Sequence, residues 1–182
     1  AASVFYKYFD KPIERIVLAA VQPLATFQNA DKARNVGLEL EAARQIGEHF
    51  FFSTNYTYVD SKIMLADTQL AVQTSPERPL AGQAKNLSNV SGEYTAAGFS
   101  TRILFNYFGD RISDVGANDA PDIVEQGRGA LDLVFSQRLK GLGIRLTHEN
   151  LTNSDYTFTQ TLASAIEPQR LFRLGRTVAL SF

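Results

Sequence analysis

Cysteine and tryptophan are both absent from this sequence, and it holds one methionine and two histidines. Without thiols there are no disulfides, no thiolate nucleophile and no zinc-thiolate centre. A strong net charge is missing too. Eighteen Lys and Arg stand against 19 Asp and Glu, leaving −1 over 182 residues, so bulk charge offers nothing to nucleic acid. No apolar run approaches the roughly 18 residues of a membrane helix, and Ala1–Tyr8 lacks the layout of a signal peptide. A helical membrane protein is excluded, whereas a membrane β-barrel is not, because its strands dilute their apolar residues with a polar face. The composition suits one domain, 45% hydrophobic and 20% charged. Opening in a strand with no start Met fits a processed chain or a piece of a longer one.

What the sequence does have is a period of two. In the C-terminal stretch Arg170–Phe182, Val178, Leu180 and Phe182 alternate with Thr177, Ala179 and Ser181, as a closing barrel strand requires. The same alternation marks Ala2–Phe9, where both faces are bulky and the parity is ambiguous. It recurs in Ala33–Arg44, Phe50–Asp60, Asn86–Tyr94, Phe99–Phe108, Gly129–Leu139 and Ile144–Glu149. That gives about eight strands with no helix between them, so sequential neighbours are expected to pair antiparallel. The segment Ile16–Val21, inside a Pro-bearing connection, reads as a short helix or a loop hairpin.

The connections alternate in length. Those around Gly47, Ala97 and Gly141 are short, while 10–34, 60–85, 109–128 and 153–169 are long and read as loops. All short turns then lie at one end and all long loops at the other, the asymmetry of outer-membrane barrels. Aromatics gather at strand ends, where interfacial girdles form. Glu39, Glu41, Arg102, Asp132, Arg145 and Glu149 all oppose the apolar parity, too many charges for a dry core and suited to a lumen. Ser88 and His148 fall on the apolar parity and are expected near an interface.

Several stretches resemble the C-terminal barrel portion of TonB-dependent outer-membrane receptors. They are Asn35–Glu41, Tyr56–Ser61, Glu149–Asn153 followed by Tyr156, and Gly175–Val178. The resemblance implies an antiparallel transmembrane barrel wall, part of a barrel of about 22 strands in the outer membrane of a Gram-negative bacterium. It further implies an N-terminal plug, coupling to TonB through that plug, and energised uptake of a scarce ligand such as a ferric siderophore or cobalamin. Residues 1–182 would be the barrel segment, with lipid, the plug and the remaining strands as partners, and the long loops outside the cell. The family usually continues several residues beyond Ser181, so Phe182 departs from its pattern. Arg78, Arg111, Tyr156 and Arg170, cationic or aromatic groups expected near the outer rim, are the candidate ligand contacts.

Enzymatic motifs are not found. His148–Glu149 opens like a metalloprotease helix, but Thr152 stands where the second histidine belongs, and His49 has no nearby ligand partner. Gly141–Leu142–Gly143 lacks the third glycine of a dinucleotide loop and reads as a turn. The Asn-x-Ser/Thr sequences at Asn55, Asn86, Asn89 and Asn150 fall in or beside strands. Asp110, Asp114, Asp119 and Asp122 lack the EF-hand spacing. No catalytic residue, cofactor or metal site is expected. The competing reading is a self-contained small barrel of about eight strands, with filled interior and a structural or adhesive role.

Overall fold

The computed structural model describes residues 1–18, 24–66 and 73–182. Fifteen strands are present among the described residues, with no helix: β1 (Ala2–Asp10), β2 (Ile13–Leu18), β3 (Leu24–Asn29), β4 (Lys32–Ile46), β5 (Phe50–Met64), β6 (Glu77–Arg78), β7 (Asn86–Ala96), β8 (Phe99–Phe108), β9 (Arg111–Asp114), β10 (Ile123–Glu125), β11 (Arg128–Leu139), β12 (Leu142–Glu149), β13 (Asp155–Leu162), β14 (Ala165–Arg173) and β15 (Thr177–Ser181). The main sheet follows the path β1-β4-β5-β7-β8-β11-β12-β15, every pair antiparallel, with β6 added beside β5. These eight path strands are the expected meander. Its outer strands are β1 and β15, which do not pair with each other.

Register carries the alternation across the sheet. One row runs Ala42–Thr54–Val90–Phe105–Leu131, and the next but one runs Ile46–Phe50–Tyr94–Thr101–Phe135–Leu146–Leu180. Because side chains alternate, these rows share one apolar face. Val4, Tyr6 and Tyr8 join it through Leu38, Val36 and Arg34, which resolves the parity of β1. Phe5 then falls on the polar face, where it lies over Gly37; a Cβ there would stand 2.2 Å from the ring. From Val36 to Ile46 this face of β4, apolar but for Arg44, spans ten residue steps, about 33 Å of strand and about 25 Å of height once tilted.

The short turns are tight. Ala97–Gly98 and Lys140–Gly141 both have two consecutive positive φ angles (49° and 77°; 45° and 92°), the mirror-image turn whose twist matches a hairpin.

Three expectations need correction. The long connections carry strands of their own: β2 and β3 form a hairpin, and β14-β13-β10-β9 form a four-stranded sheet. The Ile16–Val21 segment is accordingly hairpin in its first part, while residues 19–23 lie outside the described residues. Finally, the C-terminal stretch is two strands. Gly175, at φ 82°, breaks it, so Arg170–Arg173 belong to the loop sheet and Thr177–Ser181 to the wall.

Buried apolar side chains collect at the long-connection end. Ala30, Ala33, Ile63 and Leu65 form a small core against Leu80, and Ile112 and Phe158 are buried in the loop sheet. Among the described residues none of the fully buried apolar side chains lies in β7, β8, β11, β12 or β15, which therefore form a wall one sheet thick.

Candidate ligand-facing site at the long-connection end

Cross-strand charge and ring pairs build the loop sheet. Arg111 and Glu125 are register partners and form a 2.7 Å ion pair in which Glu125 is buried. Tyr156 and Phe172 are partners whose rings stack at 4.8 Å, with Phe158 against Phe172 at 6.0 Å. Arg170 lies 4.2 Å above the Phe158 ring and donates to Asp114 Oδ2 at 2.5 Å. Arg15 of the β2–β3 hairpin holds the other oxygen of Asp114 at 2.9 Å. Partial burial pushes the Asp114 carboxyl upward, but the Ser113 hydroxyl and the two guanidiniums more than offset it and lower its pKa. The neighbouring Glu14 is tied to Arg78 of β6 at 3.2 Å, both side chains at most 5% exposed. Two successive hairpin residues thus anchor it to two different elements.

A polar hub joins this sheet to the wall. Asn150, at φ 55°, donates its backbone N–H to Asp132 at 2.8 Å and its side-chain amide to Gly175 O at 2.7 Å. Arg176 Nε donates to Leu151 O at 2.9 Å, and Leu151 N–H to Leu131 O at 2.7 Å. The Glu149–Asn153 stretch is therefore a clamp holding the ends of β11, β12 and β15 together.

At the mouth of the polar face, Arg128 lies over the rings of its partner Phe108, at 4.6 Å, and of Tyr156, at 3.7 Å. Arg111 approaches the same Phe108 ring at 5.0 Å. Arg128 Nε is buried without a partner, and its terminal nitrogens make no hydrogen bond or ion pair among the described residues. With two rings against it and no counter-charge among the described residues, the guanidinium keeps donors that a planar anion could use. A cleft of about 310 Å³ lies near by, lined by Asp60, Ser61, Lys85, Asn86, Asp110 and Arg111 among others.

The four residues singled out from sequence are treated differently. Arg111, Tyr156 and Arg170 are brought together in the loop sheet, each already engaged with a neighbour, while Arg78 is buried against Glu14 and serves as a brace. Arg128 sits at a strand start, where alternation says least, so the sequence does not single it out; its pairing with Phe108 is visible only in the register. Glu39, Glu41, Arg102, Asp132, Arg145 and Glu149 all share the face opposite the apolar rows. On that face Ser3 donates to Glu39 at 3.2 Å and Arg102 pairs with its cross-strand partner Glu93. Ser88 and His148 stand on the apolar face, His148 between Leu133 and Val178. Asp110 and Asp122 accept from the backbone N–H groups of Gly127 and Gly116, at 2.6 and 2.7 Å. Among the described residues no group of three or more His, Asp or Glu is placed to hold a metal ion.

An antiparallel meander with one apolar face and all its elaboration at one end has the pattern of an outer-membrane barrel wall. The sequence pattern of the family described as TonB dependent receptor-like, beta-barrel matches residues 1–164. The chain belongs to this family. Comparison with curated proteins gave no match. The receptor-barrel match runs through β13 into its turn, and β15 beyond it continues the wall in register with β12. Membership places the chain among the barrels of outer-membrane receptors, a family of transporters. It also makes the apolar face the lipid face.

Proposed function

We propose that residues 1–182 are the C-terminal part of the barrel of a receptor that imports a scarce anionic ligand, such as a ferric siderophore. The polar face lines the lumen, and the loop sheet with Arg128, Arg111, Tyr156 and Arg170 meets the ligand. The observation that carries this is the Phe108–Arg128–Tyr156 cluster, a cation with no counter-charge among the described residues at the mouth of the polar face. Strands β1 and β15 each offer a free edge to further strands of the same barrel. A plug elsewhere in that protein would couple it to TonB. A closed eight-stranded barrel would need β1 to pair with β15, whereas the second edge of each is unpaired among the described residues.

The first test is the intact mass of the native protein extracted from outer membranes, with peptide mapping upstream of Ala1. A product several times this chain's size, with a folded segment before the barrel, supports the receptor; one of about this chain's length overturns it. In the full receptor, Arg128→Gln should lower uptake of a carboxylate-bearing ferric chelate about tenfold, the loss of one charge-assisted contact. Uptake equal to wild type for every chelate tried would remove Arg128 from the ligand path.

A further inference from the structure

The loop sheet repeats the strand order of the wall. Its strands run β9-β10-β13-β14, and the matching part of the wall runs β8-β11-β12-β15. Each loop strand joins its own wall strand through a short link: β8 leads into β9, β10 into β11, β12 into β13 and β14 into β15. The links are residues 109–110, 126–127, 150–154 and 174–176. Backbone bonds hold two of these junctions across the strands, Gln126 N–H to Thr157 O at 2.8 Å and Leu151 N–H to Leu131 O at 2.7 Å. The loop sheet is therefore the same four strands carried on past the wall, and the open edge of β14 continues the open edge of β15.

The two edges of the loop sheet are treated differently. At β9, Ile112 O accepts from Gly82 N–H at 2.8 Å, so the connection after β5 bonds this edge. Strand β14 has no backbone partner other than β13 among the described residues, and all nine of its residues are exposed. The devices that blunt an edge, a proline and a register shift, sit together at Pro168 and protect its outer half. Arg170–Arg173 has neither. Its two cations are turned inward, Arg170 to Asp114 and Phe158 and Arg173 to its partner Asp155, so they do not guard the edge. Such a run of open backbone groups is a template for a further strand.

We propose that Arg170–Arg173 pairs with the outward continuation of the strand that adjoins β15 in the full barrel, and that this added strand completes the ligand-facing site. Continuity selects this occupant. The strand beside β15 lies on the open side of β14 as soon as it passes the 174–176 link, and it stands between β14 and any second copy of the receptor. Pairing is through backbone groups and leaves the side chains on the two faces. Its consequence runs through Phe172, which backs the Tyr156 ring at 4.8 Å, while Tyr156 lies 3.7 Å from Arg128. Fixing β14 on both sides therefore holds Tyr156 against Arg128, and a segment outside residues 1–182 becomes a positioning partner of the site. This rests on the receptor reading, which supplies the further barrel strands.

The test uses the full receptor purified from outer membranes. Residue-resolved amide exchange on the unsubstituted protein should be slowed at least about a hundredfold at every position from Arg170 to Arg173, because a strand paired on both sides has no free amide. Alternate amides exchanging at the intrinsic rate would mark an open edge and overturn the proposal. A benzophenone photo-cross-linker placed at Leu171, and separately at Ala179 of β15, names the neighbour, with folding checked by heat-modifiable migration. The segment captured from Leu171 should belong to the same receptor and follow directly, along the chain, on the segment captured from Ala179. Capture of a second copy or of another protein from Leu171, or of no protein at all, overturns the proposal. The two readings fail differently: if Ala179 captures no segment of its own chain, the larger barrel falls and this proposal with it, whereas capture at Ala179 without the adjoining capture at Leu171 removes the proposal alone.

Discussion

The wall and the loop sheet are both antiparallel, yet they are held together by different chemistry. In the wall, identity is set by face: the row Ala42–Thr54–Val90–Phe105–Leu131 has no charge, and the polar side keeps its ions apart except for Glu93–Arg102. In the loop sheet, identity is set by partner: Arg111–Glu125, Arg170–Asp114, Arg173–Asp155 and Tyr156–Phe172. Lipid explains the difference. It demands that every backbone group be paired within the sheet and that one face be apolar throughout, whereas strands in water need only enough cross-strand contacts to offset their ordering. Changes that address a face should therefore disable the wall, and changes that address a single partner should disable the loop sheet.

The sharpest break falls on the loop end. Arg78→Ala leaves Glu14 charged and buried without its partner, a loss of about 3–5 kcal/mol. Limited proteolysis should then cut the long connections while heat-modifiable migration of the barrel persists; loss of that migration would show that the two regions fold as one. Next in size, Leu131→Arg sets a charge in the middle row of the lipid face and should cost about 2–4 kcal/mol on unfolding from vesicles. Leu171→Arg, an exposed position of the loop sheet, should change stability by less than about 0.5 kcal/mol. Equal costs at the two sites would erase the distinction. Asn150→Ala comes third, at about 1–3 kcal/mol, because Gly175 O loses its donor and the clamp between the regions loosens. Amide exchange should rise at β15 and the start of β13 together, and a rise confined to one of them would place the clamp elsewhere.

This contrast also explains which parts were legible in the residues. Val36, Leu38 and Leu40, or Phe105 and Leu131, announce their strands because lipid leaves no alternative to alternation. The loop strands give no such signal. Ala163–Ser164 make the β13–β14 turn with two positive φ angles of 47° and 73°, and neither is the Gly, Asn or Asp that usually marks such a turn. Pro168 sits in β14 beside a register shift, on the sheet's edge strand, where its missing donor costs little, yet in sequence it reads as a loop. Arg170–Arg173 alternate in phase with nothing beyond Gly175, so the two strands there looked like one. The polar-face charges could be sorted by parity alone. The site at the loop end could not, because Arg128 is defined by rings from β8 and β13 that only the register brings to it.

The smallest expected effect is a pH response that separates the regions. Asp114 is ion-paired to Arg15 and Arg170 when folded, so its pKa lies below that of the unfolded chain. A depressed carboxylate contributes stability that is fully present above the unfolded value, about 3.9, and is lost as pH falls through the folded one. Acidification below about pH 4 should therefore release the hairpin and the loop sheet from each other first. Asp155, held low by the Arg173 guanidinium, loosens its own β13–β14 contact over the same range. The wall rows carry no titrating group on the lipid face at Ala42, Thr54, Val90, Phe105 or Leu131, so they should not respond in this window. Amide exchange at pH 6 and pH 3 in the full receptor, corrected for intrinsic rates, would read both regions at once. Protection lost at β9 and β2 but kept at β7 and β8 is the expected pattern, and in Asp114→Asn the β9 and β2 protection should already be low at pH 6. If β7 and β8 open alongside β9, the partner-based account of the loop sheet fails and one cooperative unit replaces it.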